Sequence, residues 1–155
     1  MAQDQHKSCL LWNKRLIIWP FFVNQSGSVK GIKLVYVSGF VANNGDKKQR
    51  SNWGSAIDKH LYTIITNSTN HRILPQDEFI DYHKELKYLL PYSNYNSAEL
   101  IFKNFTSSLV VAAGQEYRIW FSEDLNNYIE VDKGRRVLMF MCLHCMTDVE
   151  NQMEK

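Results

Sequence analysis

The sequence is poor in the residues that staple, interrupt or strongly charge a chain. Three cysteines, Cys9, Cys142 and Cys145, are too few and odd in number for a disulfide framework. Three prolines and seven glycines exclude a collagen-like or Pro/Gly-rich disordered chain. Neither sign of charge prevails, since 18 Lys+Arg face 16 Asp+Glu for a formal charge of +2. A dedicated nucleic-acid binder normally carries a strong basic excess, so no nucleic-acid partner is expected. No apolar run approaches the roughly 20 residues that span a bilayer. The longest, Leu16 to Val23, is strand-length and holds Pro20, so no transmembrane segment is expected. Met1 to Trp12 has no basic segment leading into a long apolar stretch, and no secretory leader is expected there. Alanine is scarce at six residues, whereas Val, Ile, Thr, Phe, Tyr and Trp total 46 of 155. Alanine favours helix, and β-branched and aromatic side chains suit a pleated surface, so the balance points to sheet.

The 155 residues, 45% apolar and 22% charged, fit one folded domain and exclude intrinsic disorder. Residues 15–23 read as a strand in which Pro20 marks an edge or bulge. From Gly31 to Ala42 the chain alternates, with Ile32, Leu34 and Tyr36 opposite Lys33, Val35 and Val37; Gly39 predicts a bulge. Asn43 to Asp46 is a turn, and Lys47 to Ser55 an exposed loop. His60 to Thr66 is a further strand. Pro75 to Leu90 admits two readings: a helix with Phe79, Tyr82, Leu86 and Leu89 on one stripe, or two short strands. Glu99 to Asn104 is strand-like, and Leu109 to Ala112 with Glu116 to Phe121 reads as a hairpin around Gly114. The apolar run Val137 to Leu143 predicts a central strand, and residues 147–155 a polar tail. The fold class is therefore all-β: an antiparallel β-sandwich, jelly-roll or galactose-binding-like, over residues 10–146, with at most one short helix.

Two groups of residues offer chemistry through loops. Trp53 lies in a polar setting, Arg50-Ser-Asn-Trp-Gly54, where an exposed indole would stack on a sugar face; otherwise it packs back onto the sandwich as a lid. Tyr92-Ser-Asn-Tyr-Asn96 has the composition of a recognition loop. Arg50, Asn52, Trp53, Tyr92 and Asn94 are the candidate ligand-binding residues. Segment 122–132 gathers Glu123, Asp124, Glu130 and Asp132, hard oxygen donors of the kind Ca²⁺ takes, without EF-hand spacing. It is a candidate Ca²⁺ site, the alternative being a solvated charged connection.

Other patterns are weaker. Cys142-Leu-His-Cys145 lacks the second ligand pair of a structural zinc site, and Asp81-Tyr-His83 lacks a visible partner for acid–base work. No G-x-S-x-G, H-E-x-x-H, Walker or G-x-G-x-x-G pattern occurs, so an enzyme is not the expectation.

The block Ala113 to Leu125, followed by Glu130, Asp132 and Gly134, resembles the closing segment of β-rich extracellular proteins of marine invertebrates. Asn52-Trp-Gly54 and Glu99 to Asn104 are similar to other pieces of that pattern. The strand order also resembles the discoidin, galactose-binding-like sandwich. The resemblance implies a module that binds glycans or membrane surfaces through loops at one end. It does not extend to the pair of terminal cysteines that commonly close a discoidin domain.

The expected function is non-catalytic recognition of a carbohydrate or cell-surface glycoconjugate, with Ca²⁺ as a candidate cofactor. A structural protein forming homo-oligomers is the alternative. Sequons at Asn24, Asn67 and Asn104 and the resemblance point to an extracellular location. The odd cysteines and the absence of a leader point to the cytoplasm, which stands as the alternative.

Overall fold

Strands form where apolar and β-branched residues alternate, and turns where Gly, Asn and Ser interrupt them. The computed structural model describes residues 7–12, 18–42, 48, 50–122, 125 and 138–146, with the backbone alone for 7–12, 18–19 and 138–146. In chain order the strands are β1 (Lys7–Trp12), β2 (Ile18–Phe22), β3 (Gly27–Val29), β4 (Gly31–Phe40), β5 (Thr63–Asn67) and β6 (Arg72–Leu74). They continue as β7 (Ile80–Tyr82), β8 (Lys87–Tyr88), β9 (Glu99–Phe102), β10 (Leu109–Val111), β11 (Glu116–Phe121) and β12 (Leu138–Met146).

Two four-stranded antiparallel sheets, β1-β12-β4-β9 and β2-β11-β5-β6, make the sandwich. Two-stranded ladders β10-β3 and β7-β8 flank them. The expectation of an all-β sandwich is met, with a short 3₁₀ turn at Asp77–Phe79. Ile32 and Leu34 from β4, with Leu100 and Phe102 from β9, are buried from one side. Phe21, Ile65, Tyr117, Ile119 and Phe121 are buried from the other. Each such side chain adds about 1.5–3 kcal/mol of apolar burial. The even alternation expected of β4 places Ile32 and Leu34 inward and breaks near the expected glycine. Phe140 pairs with Ser38 and Met141 with Tyr36, so Val37 is the extra residue of a bulge. Gly39 takes φ +95°, open to a residue without a Cβ.

Three expectations are corrected or refined. The helix reading of 75–90 fails, and the strand reading holds: Ile80 pairs with Tyr88. Tyr82 and Leu89, which the helical stripe would bury, are exposed, and Leu86 adopts a left-handed φ of +53°. The core claims Ile80 and Tyr88 instead, and backbone bonds between Leu61 and Tyr88, 2.9 and 3.2 Å, fix the segment as an extended ladder.

The hairpin expected around Gly114 also fails. The local turn exists, with Gln115 N–H donating to the Ala112 carbonyl at 3.0 Å. Its arms then part, β10 joining β3 and β11 inserting between β2 and β5. Leu138 to Met146 is central in its sheet, between β1 and β4, as the apolar run predicts. That strand continues to Met146, past the expected end at Leu143. The side chains of Cys142-Leu-His-Cys145 lie outside the described residues. The tail 147–155 lies outside the described residues.

Candidate ligand-binding site

The two loops singled out for recognition are brought together, although 40 or so residues separate them in the chain. Ser51 is tied to the end of β4 by reciprocal backbone bonds with Val41, 2.8 and 3.0 Å. Asn52 and Trp53 N–H groups both donate to the Tyr95 carbonyl, at 3.0 and 2.9 Å. The Asn52 amide donates to the carbonyls of Asn96 and Ser97, at 3.3 and 3.1 Å. Across the turn, Asn94 N–H donates to Ser97 Oγ at 2.8 Å, and Asn94 Oδ1 accepts from Asn96 N–H at 2.9 Å.

Trp53 is corrected by its burial. Its side chain is 0% exposed, and its indole N–H donates to the Ser97 carbonyl at 2.8 Å. It is the lid of the core, not a platform for a ligand. A polar neighbourhood in sequence arises here because the polar atoms brace the backbone around a buried ring. Arg50 stacks its guanidinium 4.1 Å from the Phe40 ring centroid, and its Nε is buried without a partner among the described residues.

Tyr92 is different. It is 46% exposed yet held in place. Lys103 Nζ lies 4.0 Å from its ring centroid, and Asn104 Nδ2 donates to its hydroxyl at 3.0 Å. Lys103 itself is 9% exposed, and the cation polarises the ring it covers. Asn104 adopts φ +57°, a conformation that Asn tolerates better than most residues. An aromatic ring fixed by a cation and an amide while still open to solvent is suited to stacking on an apolar ligand face. Lys103 and Asn104 were not among the expected site residues. Their signals in sequence are position, at the end of a strand where alternation lapses, and the sequon that begins at Asn104.

A second polar cluster joins loop 55–61 to the β7-β8 ladder. Asp58 accepts a short hydrogen bond from the Tyr62 hydroxyl and sits 3.1 Å from Lys87 Nζ. His60 places Nε2 3.1 Å from Asp81 Oδ2 and Nδ1 2.9 Å from the Asp58 carbonyl oxygen. Asp81 thus pairs with His60. Burial alone would push the Asp58 carboxyl up; hydrogen bonds from Tyr62, the His60 N–H and Lys87 outweigh it and hold it below its ordinary value. Every group here has a partner, so the cluster is a clasp between two segments. Tyr88, wholly buried, has its hydroxyl pushed well above the ordinary range by desolvation.

Glu123, Asp124, Glu130 and Asp132 lie outside the described residues. Among the described residues no group of three His, Cys, Asp or Glu side chains could hold a metal ion. No helix among them is long and apolar enough to cross a membrane.

The architecture is an antiparallel β-sandwich. It is similar to a solved structure, AJLec from the sea anemone Anthopleura japonica, with a TM-score of 0.69 and 18% identity. That similarity covers 92% of this chain and 93% of the other. At this identity the likeness is one of fold. No family model matches the chain, and no curated protein matches it.

Proposed function

We propose that the chain is a non-catalytic binding module for carbohydrate or a cell-surface glycoconjugate. The observation that carries this reading is Tyr92, exposed yet immobilised by Lys103 and Asn104. A ring that pays little ordering entropy on binding is what stacking on a sugar requires. Asn94, also exposed, sits two residues away, and Asn52 lies against the same 95–97 turn. Arg50 is the cation of the adjoining loop. The likeness in fold to AJLec supports the reading, and with the sequons at Asn24, Asn67 and Asn104 it supports an extracellular location. A glycan array tests it. Wild-type chain should bind a restricted set of saccharides, and Tyr92→Ala should lose about tenfold in affinity, equivalent to 1.4 kcal/mol. Equal binding by the two proteins, or no saccharide bound, would contradict it.

Ca²⁺ held by Glu123, Asp124, Glu130 and Asp132 would be the cofactor of this module, since carboxylate oxygens are its preferred donors. Added Ca²⁺ should then raise the melting temperature and chelator should reverse the gain; an unmoved melting temperature removes the ion from the reading.

A further inference from the structure

In the strand order of the described residues β6 is an edge strand of one sheet and β9 of the other. The segments that follow these two strands face each other across a cleft of about 280 Å³. One wall is residues 73–78 and the other residues 105–109. Its floor is apolar: Leu74 is 2% exposed, and Ile73 and Leu109 pack against the core. Phe105, partly buried, adds an aromatic ring. The polar groups are three hydroxyls in sequence, Thr106, Ser107 and Ser108, opposite the Gln76 amide and the Glu78 carboxylate.

Both walls are braced. The Arg72 guanidinium donates to the Pro75 carbonyl and to the Asp77 carboxylate, and holds the Asp77 carboxyl below its ordinary value. Phe79 N–H donates to the Gln76 carbonyl at 3.2 Å. Opposite, Leu109 pairs with Val29, and Phe105 N–H reaches the Lys30 carbonyl at 3.5 Å. Asn104, which anchors Tyr92, immediately precedes the Phe105 wall.

We infer that this cleft is a saccharide subsite that takes one neutral pyranose ring. The inference rests on the glycan-binding reading and adds the site and the charge class of the ligand. The volume is near the low end of the roughly 300–1,000 Å³ that ligand pockets span, and so suits a single ring. Apolar floor and phenyl ring meet the C–H face of a sugar. Hydroxyls, amide and carboxylate meet its hydroxyls, the carboxylate accepting from sugar O–H groups. Arg72, which braces one wall, is paired with Asp77, and the ionisable side chain that lines the cleft is Glu78. A sialylated or sulfated sugar would bring like charge against it and be rejected.

Calorimetric titration with methyl glycosides of gluco, galacto and manno configuration, and with a methyl sialoside, tests this. Ser107→Trp fills the cleft from an exposed loop position and should lower affinity for the neutral glycoside at least tenfold. Glu78→Lys, also at an exposed position, should shift preference toward the sialoside by a similar factor. Affinity unchanged in both variants, with wild-type binding and the Tyr92→Ala loss intact, overturns the cleft and leaves the glycan reading standing. Failure of the wild-type chain to bind any glycoside overturns both.

Discussion

At the scale of single residues, Gly54 illustrates how space can dictate an amino acid without a special backbone angle. A Cβ on Gly54 would lie 1.9 Å from the His60 carbonyl oxygen, which itself accepts from Ser55 N–H at 3.0 Å. The neighbour is backbone and cannot swing away. Gly54→Ala is therefore expected to cost about 2 kcal/mol, within the range of overpacking. For a chain of this length that lowers the melting temperature by about 4–8 °C in calorimetry. The same few residues show why Trp53 was hard to read from sequence. Arg50, Ser51 and Asn52 are polar, and polar neighbours suggest solvent. In the fold Asn52 and Ser51 make bonds to backbone groups, and these close over the ring. Tyr92 was legible by composition. Its two anchors were not, because nothing in a linear sequence brings Lys103 under its ring.

At the scale of elements, the β7-β8 ladder is the piece where local pattern and tertiary packing disagree. Phe79, Tyr82, Leu86 and Leu89 recur at helical spacing, but a two-residue alternation of the core claims Ile80 and Tyr88. Propensity is a weak prior against such packing. The Asp58 clasp holds this ladder to loop 55–61 and makes its docking sensitive to acid. Because the folded Asp58 carboxyl titrates below its unfolded value of about 3.9, its contribution is present above that pH. It is lost as pH falls through the folded value. Asp58→Asn should lower the urea midpoint at pH 7. The gap to wild type should begin to narrow near pH 4, where the unfolded carboxyl takes up its proton, and close as pH falls through the lower, folded value. A gap constant from pH 7 to pH 3 would show that the charge plays no part. The missed pairing of β10 and β11 has a similar origin. The turn at Gly114 is correctly local, yet which strand each arm joins is decided by sheets assembled from distant segments.

At the scale of the molecule, the fold class and central β12 were legible because they rest on period-two alternation and one long apolar run. The order of strands was not, because β4 and β12, about a hundred residues apart, carry no mutual signal in sequence. The site was half legible for the same reason. Composition picked out loops 50–54 and 92–96, and the fold joins them. The hydroxyl run Thr106 to Ser108 drew notice only through the Asn104 sequon, although an aromatic followed by three hydroxyls is itself a polar–apolar edge of the kind ligands use. Topology adds what composition lacks: the segments after β6 and β9 place that run against Gln76 and Glu78.

The central claim is that this sandwich recognises saccharides along the side that carries Tyr92. Titration of isotope-labelled chain with neutral methyl glycosides, followed by amide resonances, tests it most directly. The account predicts saturable shifts concentrated at residues 76–78, 92–97 and 103–109. Shifts confined to the opposite edge around β2, or none at millimolar glycoside, would contradict it.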